Sequence, residues 1–393
     1  MKIGWFDRSG WFDGGIAGAF FLPLTHAGML PTNPVSWFEV STHMLSLIII
    51  LLLTRQYLPI KKEWNSLRFI SGSLLMLVLW SLLQLVDTFK HDYNSWGLRD
   101  ETPAFNFNQN NKVRGVHYFT RFKDGNINFD KIKESNIKQL VLVPYAYQTA
   151  YNSTELNFRQ NRRRRSIDRD SMYLSLAQIA ASEGLEIIIK PHIWMPTDHG
   201  KWRSDIQFSN KDEFQRWAEK YADFILHYAA LSEEMGASHF CIGTELSGLT
   251  KGHDEFWIEL IREVRKIYHG KIFYAANWYR EYEQIQFWGA LDYIGIQAYF
   301  PICKKNNPSI DDLKKGWKTY RMHLKKTSIK FHKPILFSEL GYRSSDDAAI
   351  DPWAWVEGER VMNMKVSEET QANCYEAFFE TFWDEPWFAG ALI

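Results

Sequence analysis

Residues 113–393 predict a parallel (β/α)8 barrel of the α/β class, on three observations. Eight short apolar runs recur along this stretch, amphipathic segments of helical spacing lie between them, and no glycine-rich loop follows the first run. Strands alternating with helices give a parallel sheet covered by helices. The competing doubly wound sheet would place a phosphate-binding loop after its first strand, and RGVHYFTRF (114–122) holds none.

The runs, in order, are VRGVHYF (113–119), KQLVLVPYAY (138–147), LEIIIKPHIW (185–194) and SHFCIGTEL (238–246). KIFYAANW (271–278), LDYIGIQAYF (291–300), PILFSELGY (334–342) and FAGALI (388–393) complete the set. Between the fourth and its predecessor, residues 212–235 place Phe214, Trp217, Tyr221 and Phe224 near helical spacing. The sequence stops at Ile393 inside the eighth run. The barrel is therefore expected to be truncated at strand eight, with unpaired strand edges beside it and no covering helix.

The first hundred residues differ in character. Residues 69–86, FISGSLLMLVLWSLLQLV, carry no charge over a length that spans a bilayer core. MLSLIIILLL (44–53) and GIAGAFFLPLTHAGML (15–30) are shorter or interrupted candidates. Residues 1–87 are thus expected to form a hydrophobic membrane anchor of one to three transmembrane helices. Arg55, Lys61, Lys62 and Arg68 lie between the two stronger candidates. The positive-inside rule keeps that loop in the cytoplasm and leaves everything after Asp87 outside. Residues 88–112, a polar stretch that includes NFNQNNK, read as a linker.

Composition narrows the function. The 46 basic and 46 acidic residues cancel, so no global field draws the chain to nucleic acid. The three cysteines, Cys241, Cys303 and Cys374, form neither a disulfide framework nor a zinc spacing. Aromatic residues make up 16%, including 17 tryptophans. They suit a bulky core, platforms for flat apolar ligand faces such as sugar rings, or both.

In a barrel of this kind the site lies at the carboxyl ends of the strands. The runs end with His117 and Tyr118; Lys190, His192 and Trp194; Thr244 and Glu245; Asn277 and Trp278; Gln297 and Tyr299; Ser338 and Glu339. Each alone could be a structural hydrogen bonder. Two of the runs, however, finish in a small hydroxyl residue followed by glutamate. Paired carboxylates among aromatics and neutral hydrogen bonders suit glycoside hydrolysis, one protonated to serve the leaving oxygen and one ionised to attack. No HExxH or comparable metal-ligand spacing occurs, so neither metal nor cofactor is expected. The basic run NRRRRS (161–166) reads as a solvated loop.

These residues reach a resemblance. RGVHY, IIIKPHIW, GKWRSDI (200–206), IGTELSG, YAANW, FWGALDYIGIQAYFP (287–301), PILFSELGYRS and DPWAW (351–355) run in order through residues 113–393. Together they resemble glycoside hydrolase family 113, the β-mannanases of the large retaining (β/α)8 glycosidase clan. The resemblance implies that Glu245 is the acid/base, Glu339 the nucleophile and Tyr299 the phenol that hydrogen-bonds it. It implies that Lys190, His192, Trp202, Arg203, Asn277 and Trp278, with Trp194 at the same rim, line sugar subsites. The implied partner is β-mannan or a related polysaccharide. A related barrel glycosidase on another β-glycan, or a truncated carbohydrate-binding pseudoenzyme, stands as the alternative.

Overall fold

The computed structural model describes residues 105–118, 129–158, 169–196, 200–354 and 364–393. The anchor region 1–87, its candidate helices and the 161–166 basic run lie outside the described residues. Among the described residues no helix is long and apolar enough to cross a membrane.

The elements run β1 (Val113–His117), α1 (Phe129–Glu134), β2 (Gln139–Leu142), β3 (Tyr145–Tyr147), α2 (Arg169–Ser182), β4 (Glu186–Ile189), β5 (His192–Trp194), α3 (Lys211–Glu234) and β6 (His239–Thr244). They continue α4 (Ser247–Thr250), α5 (Asp254–Ile267), β7 (Lys271–Asn277), α6 (Glu281–Gln284), β8 (Tyr293–Gln297), α7 (Ile310–Phe331), β9 (Ile335–Glu339), α8 (Glu368–Phe382) and β10 (Phe388–Leu392). Eight of the strands close a parallel barrel in the order β1-β2-β4-β6-β7-β8-β9-β10, and β10 returns to β1. The expected open edge at strand eight is overturned. Phe388–Leu392 pairs with β1 from Val113↔Gly390 to Gly115↔Leu392, and with Ile335–Phe337 of β9 on its other side. Five residues suffice because the neighbouring strands are equally short.

The second and third runs each split in two. Pro144 and Pro191 break them, since proline has no N–H for the ladder. The residues after each proline, β3 and β5, form a separate two-stranded parallel sheet with Tyr147 opposite Trp194. This small sheet prolongs the barrel wall beyond its carboxyl end.

Side chains of alternate strand residues fill the barrel interior: Val141, Ile188, Cys241, Phe273, Ala275, Leu336 and Ala389 belong to one inner cluster. The intervening residues pack outward on the helices in a larger cluster. Most of the aromatic content is spent there. Trp217, Trp257, Trp288, Trp317 and Trp387 are all fully buried. The α3 helix shows how. Asn210 caps it by accepting the Glu213 N–H, and its buried face carries Trp217, Tyr221, Phe224 and Tyr228. Trp217 and Tyr221 stack at 4.7 Å.

The end of the polar segment 88–112 is not a free linker. Phe107 packs against the inner cluster, with its ring 6.3 Å from that of Tyr293. Lys112 is buried and donates to the carbonyls of Glu385 and Phe388. The chain from Phe105 thus closes the amino-terminal floor of the barrel, opposite the mouth where the strand-end residues gather.

Candidate active site

The two glutamate-bearing strands share a local irregularity. On β6 the pairing with β7 shifts between Cys241↔Phe273 and Thr244↔Ala275, so three steps on β6 face two on β7. On β9 it shifts between Ile296↔Phe337 and Gln297↔Glu339. Each is a bulge, and a bulge re-aims the side chains beyond it. Tyr221 of α3 donates its hydroxyl to the Ile242 carbonyl at the first bulge, at 2.8 Å. Gly243 fits between the Tyr221 hydroxyl and the Tyr274 ring, where an added Cβ would come within 2.8 Å of both. Glu245 then adopts φ 52°, the left-handed region that a side chain normally avoids. At the second bulge, Ser338 donates to Gln297 Oε1 at 3.1 Å inside the barrel, and the next residue, Glu339, still reaches the mouth.

Glu339 is held by a buried cation. Lys190 Nζ donates to its Oε1 at 2.5 Å and to Gln297 Oε1 at 3.0 Å. Lys190 follows β4 in phase with interior Ile188 and is fully buried, so it lies beneath Glu339 rather than along an open subsite. Tyr299 donates its hydroxyl to Glu339 Oε2 at 2.9 Å. His117 Nε2 and His192 Nε2 stand 3.7 and 3.9 Å from Oε1. Burial alone would raise this carboxyl, but the Lys190 ammonium above all holds it well below the usual carboxylate range. Burial, then Lys190, drives His117 down to about 4, and the same two causes push His192 well below its ordinary value. Both imidazoles are therefore neutral near pH 7, and the ammonium is the decisive charge. The Glu339 side chain keeps 19% exposure, enough for a ligand atom to meet it.

Glu245 has different partners. Trp202 Nε1 and an Arg203 Nη donate to its Oε2 at 3.2 and 3.0 Å, and Asn277 Nδ2 donates to Oε1 at 2.9 Å. Trp202 and Arg203 arrive together on the short 3-10 turn at Arg203–Asp205, the guanidinium 4.3 Å from the indole centroid. Tyr299 lies within the influence of both carboxylates. Burial raises its phenol far above the ordinary value, and Glu339 and Glu245 add to that.

Aromatic side chains flank the pair. Trp194 is half exposed, its ring 5.8 Å from that of Tyr147 on the small sheet. Across the mouth, Trp278 stacks on the exposed Trp353 at 5.0 Å. The structure thus gathers every residue expected from sequence at one end of the barrel, although Lys190, Trp202, Arg203 and Asn277 contact the carboxylates directly. Of the strand-end candidates to which the resemblance gives no role, His117 and Gln297 join this cluster, and the structure adds Tyr145, whose ring lies 5.9 Å from His192. It also adds Glu281, which no strand-end pattern marks.

A closed parallel barrel with two separately supported glutamates at its carboxyl mouth is the architecture of a barrel glycosidase. The sequence profile of glycoside hydrolase family 113 matches residues 113–393. The chain belongs to that family and is a glycoside hydrolase. Its fold is similar to that of the family 113 β-mannanase AaManA from Alicyclobacillus acidocaldarius, solved in complex with ManMIm. That match has 25% identity, covers 74% of this chain and 88% of the other, and has a TM-score of 0.60. The complex structure of a family 113 β-1,4-mannanase matches at 25% identity over 72% of this chain and 87% of the other, with a TM-score of 0.59. A comparison with curated protein sequences returned no match.

Proposed function

We propose that this hydrolase cleaves β-mannan-type polysaccharide by double displacement, with Glu339 as nucleophile and Glu245 as acid/base. The observation that carries the reading is the contrast in support. Glu339 rests on a buried ammonium and a phenol that favour its ionised, attacking form, with an exposed fraction toward the mouth. Glu245 rests on an indole, a guanidinium and a carboxamide. A substrate's glycosidic oxygen must take the place of one of these when it receives the proton.

The steps derive from that arrangement. Glu339 attacks the anomeric carbon as the leaving oxygen takes the proton of Glu245, giving a glycosyl-enzyme ester and a free sugar end. Glu245, now ionised, removes a proton from water, which attacks the anomeric carbon and releases Glu339. Tyr299 holds Oε2 of the nucleophile while Oε1 stays on Lys190. Mannan as substrate is supported by the two β-mannanase structures that match at 25% identity.

The test is the release of reducing ends from mannan and from xylan, with the anomer first formed read by NMR. Mannan should be cleaved and xylan left intact, and the first-formed product should keep the β configuration. Preference for xylan would remove the substrate, and an α product would remove the covalent intermediate.

A further inference from the structure

A third carboxylate lies behind Glu245, and a two-glutamate mechanism has no use for it. Glu281 opens α6 and is buried. Among the described residues no cation pairs with it. Its Oε1 accepts from the Tyr274 hydroxyl at 2.7 Å and from Thr250 Oγ1 at 3.2 Å, and its Oε2 accepts the backbone N–H of Asn277 at 2.6 Å. Taking a carboxylate out of water without a counter-ion is costly. A purely structural link could be made by a neutral acceptor at less cost, so three donors converging on a charge call for a reason.

Both arms of this cluster lead to Glu245. The first arm is Tyr274, whose hydroxyl also accepts the N–H of Leu246, at 2.7 Å. It thereby pins the turn directly after the left-handed Glu245. The second arm is Asn277, whose main chain is held by Glu281 while its side chain donates to Glu245 Oε1 at 2.9 Å. One buried carboxylate therefore fixes the backbone of Glu245 from one side and its carboxylate from the other.

We propose that Glu281 is a positioning residue for the acid/base, holding Glu245 and Asn277 in the register that proton transfer to the leaving oxygen requires. The assignment rests on the two-glutamate reading of the site. Burial first of all, with the charge of Glu245 as a lesser cause, pushes the Glu281 carboxyl up to about 7. Hydrogen bonds from Asn277, Tyr274 and Ser247 act in the opposite direction. A carboxylate accepts at both oxygens, whereas glutamine would turn an N–H2 toward a donor. Glu281→Gln therefore disturbs the cluster with almost no change of volume.

The experiment compares kcat/KM on mannan with kcat/KM on a dinitrophenyl β-mannobioside, whose leaving group needs little protonation. The whole chain is used as wild type, Glu281→Gln and Tyr274→Phe. Glu281→Gln should lose about 10- to 100-fold on mannan and less than about 3-fold on the aryl glycoside. Tyr274→Phe, which removes one bridging hydroxyl, should show the same asymmetry at roughly 3- to 10-fold, and it decides the matter if Glu281→Gln does not fold. Equal losses on both substrates, or full activity on mannan, would overturn the positioning role while leaving the hydrolase reading intact. A wild type that cleaves neither substrate would overturn that reading and this assignment with it.

Discussion

At the end of β9, Glu339 sits on one buried ammonium at 2.5 Å with a phenol on its other oxygen. At the end of β6, Glu245 is fixed by three donors spread over 2.9 to 3.2 Å, on a backbone held in the left-handed region. The two strands are alike in sequence, each a short apolar run ending in a hydroxyl residue and glutamate, and alike in carrying a bulge just before that end. They differ in what lies underneath: a cation beneath Glu339, a second carboxylate behind Glu245. The same local device delivers both side chains, and the layer below decides what each can do. A nucleophile must stay ionised in a partly dry site, which a buried cation secures. An acid/base must change protonation in every cycle. At Glu245 the Arg203 guanidinium shares the carboxylate with an indole and a carboxamide, with the Glu281 carboxylate behind it, rather than a lone ammonium holding one oxygen.

The largest effect that would test this contrast is Glu339→Gln. Loss of the nucleophile should lower kcat on mannan by roughly ten-thousand-fold or more while mannan binding stays measurable. It should also leave Lys190 buried and unpaired. Breaking a buried pair costs roughly 3–5 kcal/mol, so the melting temperature should fall by on the order of 10 °C. Lys190→Met on top of Glu339→Gln removes the stranded charge and should recover most of that fall. Substantial hydrolysis by Glu339→Gln, measured as reducing ends, would take the nucleophile role away from it.

Next in size is Glu245→Ala. It should lose about 100- to 1000-fold in kcat/KM on mannan and far less on a substrate with an activated aryl leaving group. The assay is the pair of rates on one enzyme preparation. Equal losses would mean that Glu245 supports the site without transferring a proton.

A subtler probe is Lys190→Met with Glu339 intact. Because Lys190 holds the Glu339 carboxyl below its usual range, the ionised form of the wild type persists into acid. Without the ammonium, burial dominates and the carboxyl moves up. The acid limb of kcat/KM should then move to higher pH. Stability has the same sign. A depressed carboxyl contributes stability that is present above the ordinary range and lost as pH falls through the folded value. The variant lacks that contribution at neutral pH. An acid limb that does not move would mean that Tyr299 and the histidines suffice to keep Glu339 ionised.

Much of this architecture is legible in the sequence, for physical reasons that also mark where reading stops. The eight barrel strands declare themselves because each is apolar on both faces, one inside the barrel and one under the helices. Glu245 and Glu339 stand out because a carboxylate ending such a run is out of place. The bulges do not show, since one extra residue in a ladder leaves no mark on composition beyond Gly243. Lys190 ends a strand and so resembles a subsite residue, although its phase with Ile188 points it inward. Glu281 lies past the end of β7 in an ordinary-looking EYEQ, and only the folded chain brings it to Tyr274 and Thr250. The closing of β10 on β1 escapes a reading that judges the last strand by where the sequence stops rather than by its pairing.

The smallest effect concerns the backbone of the β6 end. Glu245 holds φ 52°, a conformation that costs a residue with a Cβ roughly 1–2 kcal/mol and costs glycine almost nothing. Glu245→Ala and Glu245→Gly both lose the contacts from Trp202, Arg203 and Asn277, so those losses cancel when the two variants are compared. What remains is the Cβ in the left-handed region, offset in part by the greater freedom of glycine in the unfolded chain, worth about 0.4–1 kcal/mol. Glu245→Gly should therefore be the more stable of the two by on the order of 0.5–1 kcal/mol, read as a higher midpoint in urea at an unchanged slope. The matching pair at the β9 end, Glu339→Ala and Glu339→Gly, has no positive φ to relieve, and there glycine should be the less stable. If glycine proves the weaker variant at both ends, the turn at Glu245 carries no strain, and the two catalytic strand ends differ only in what surrounds them.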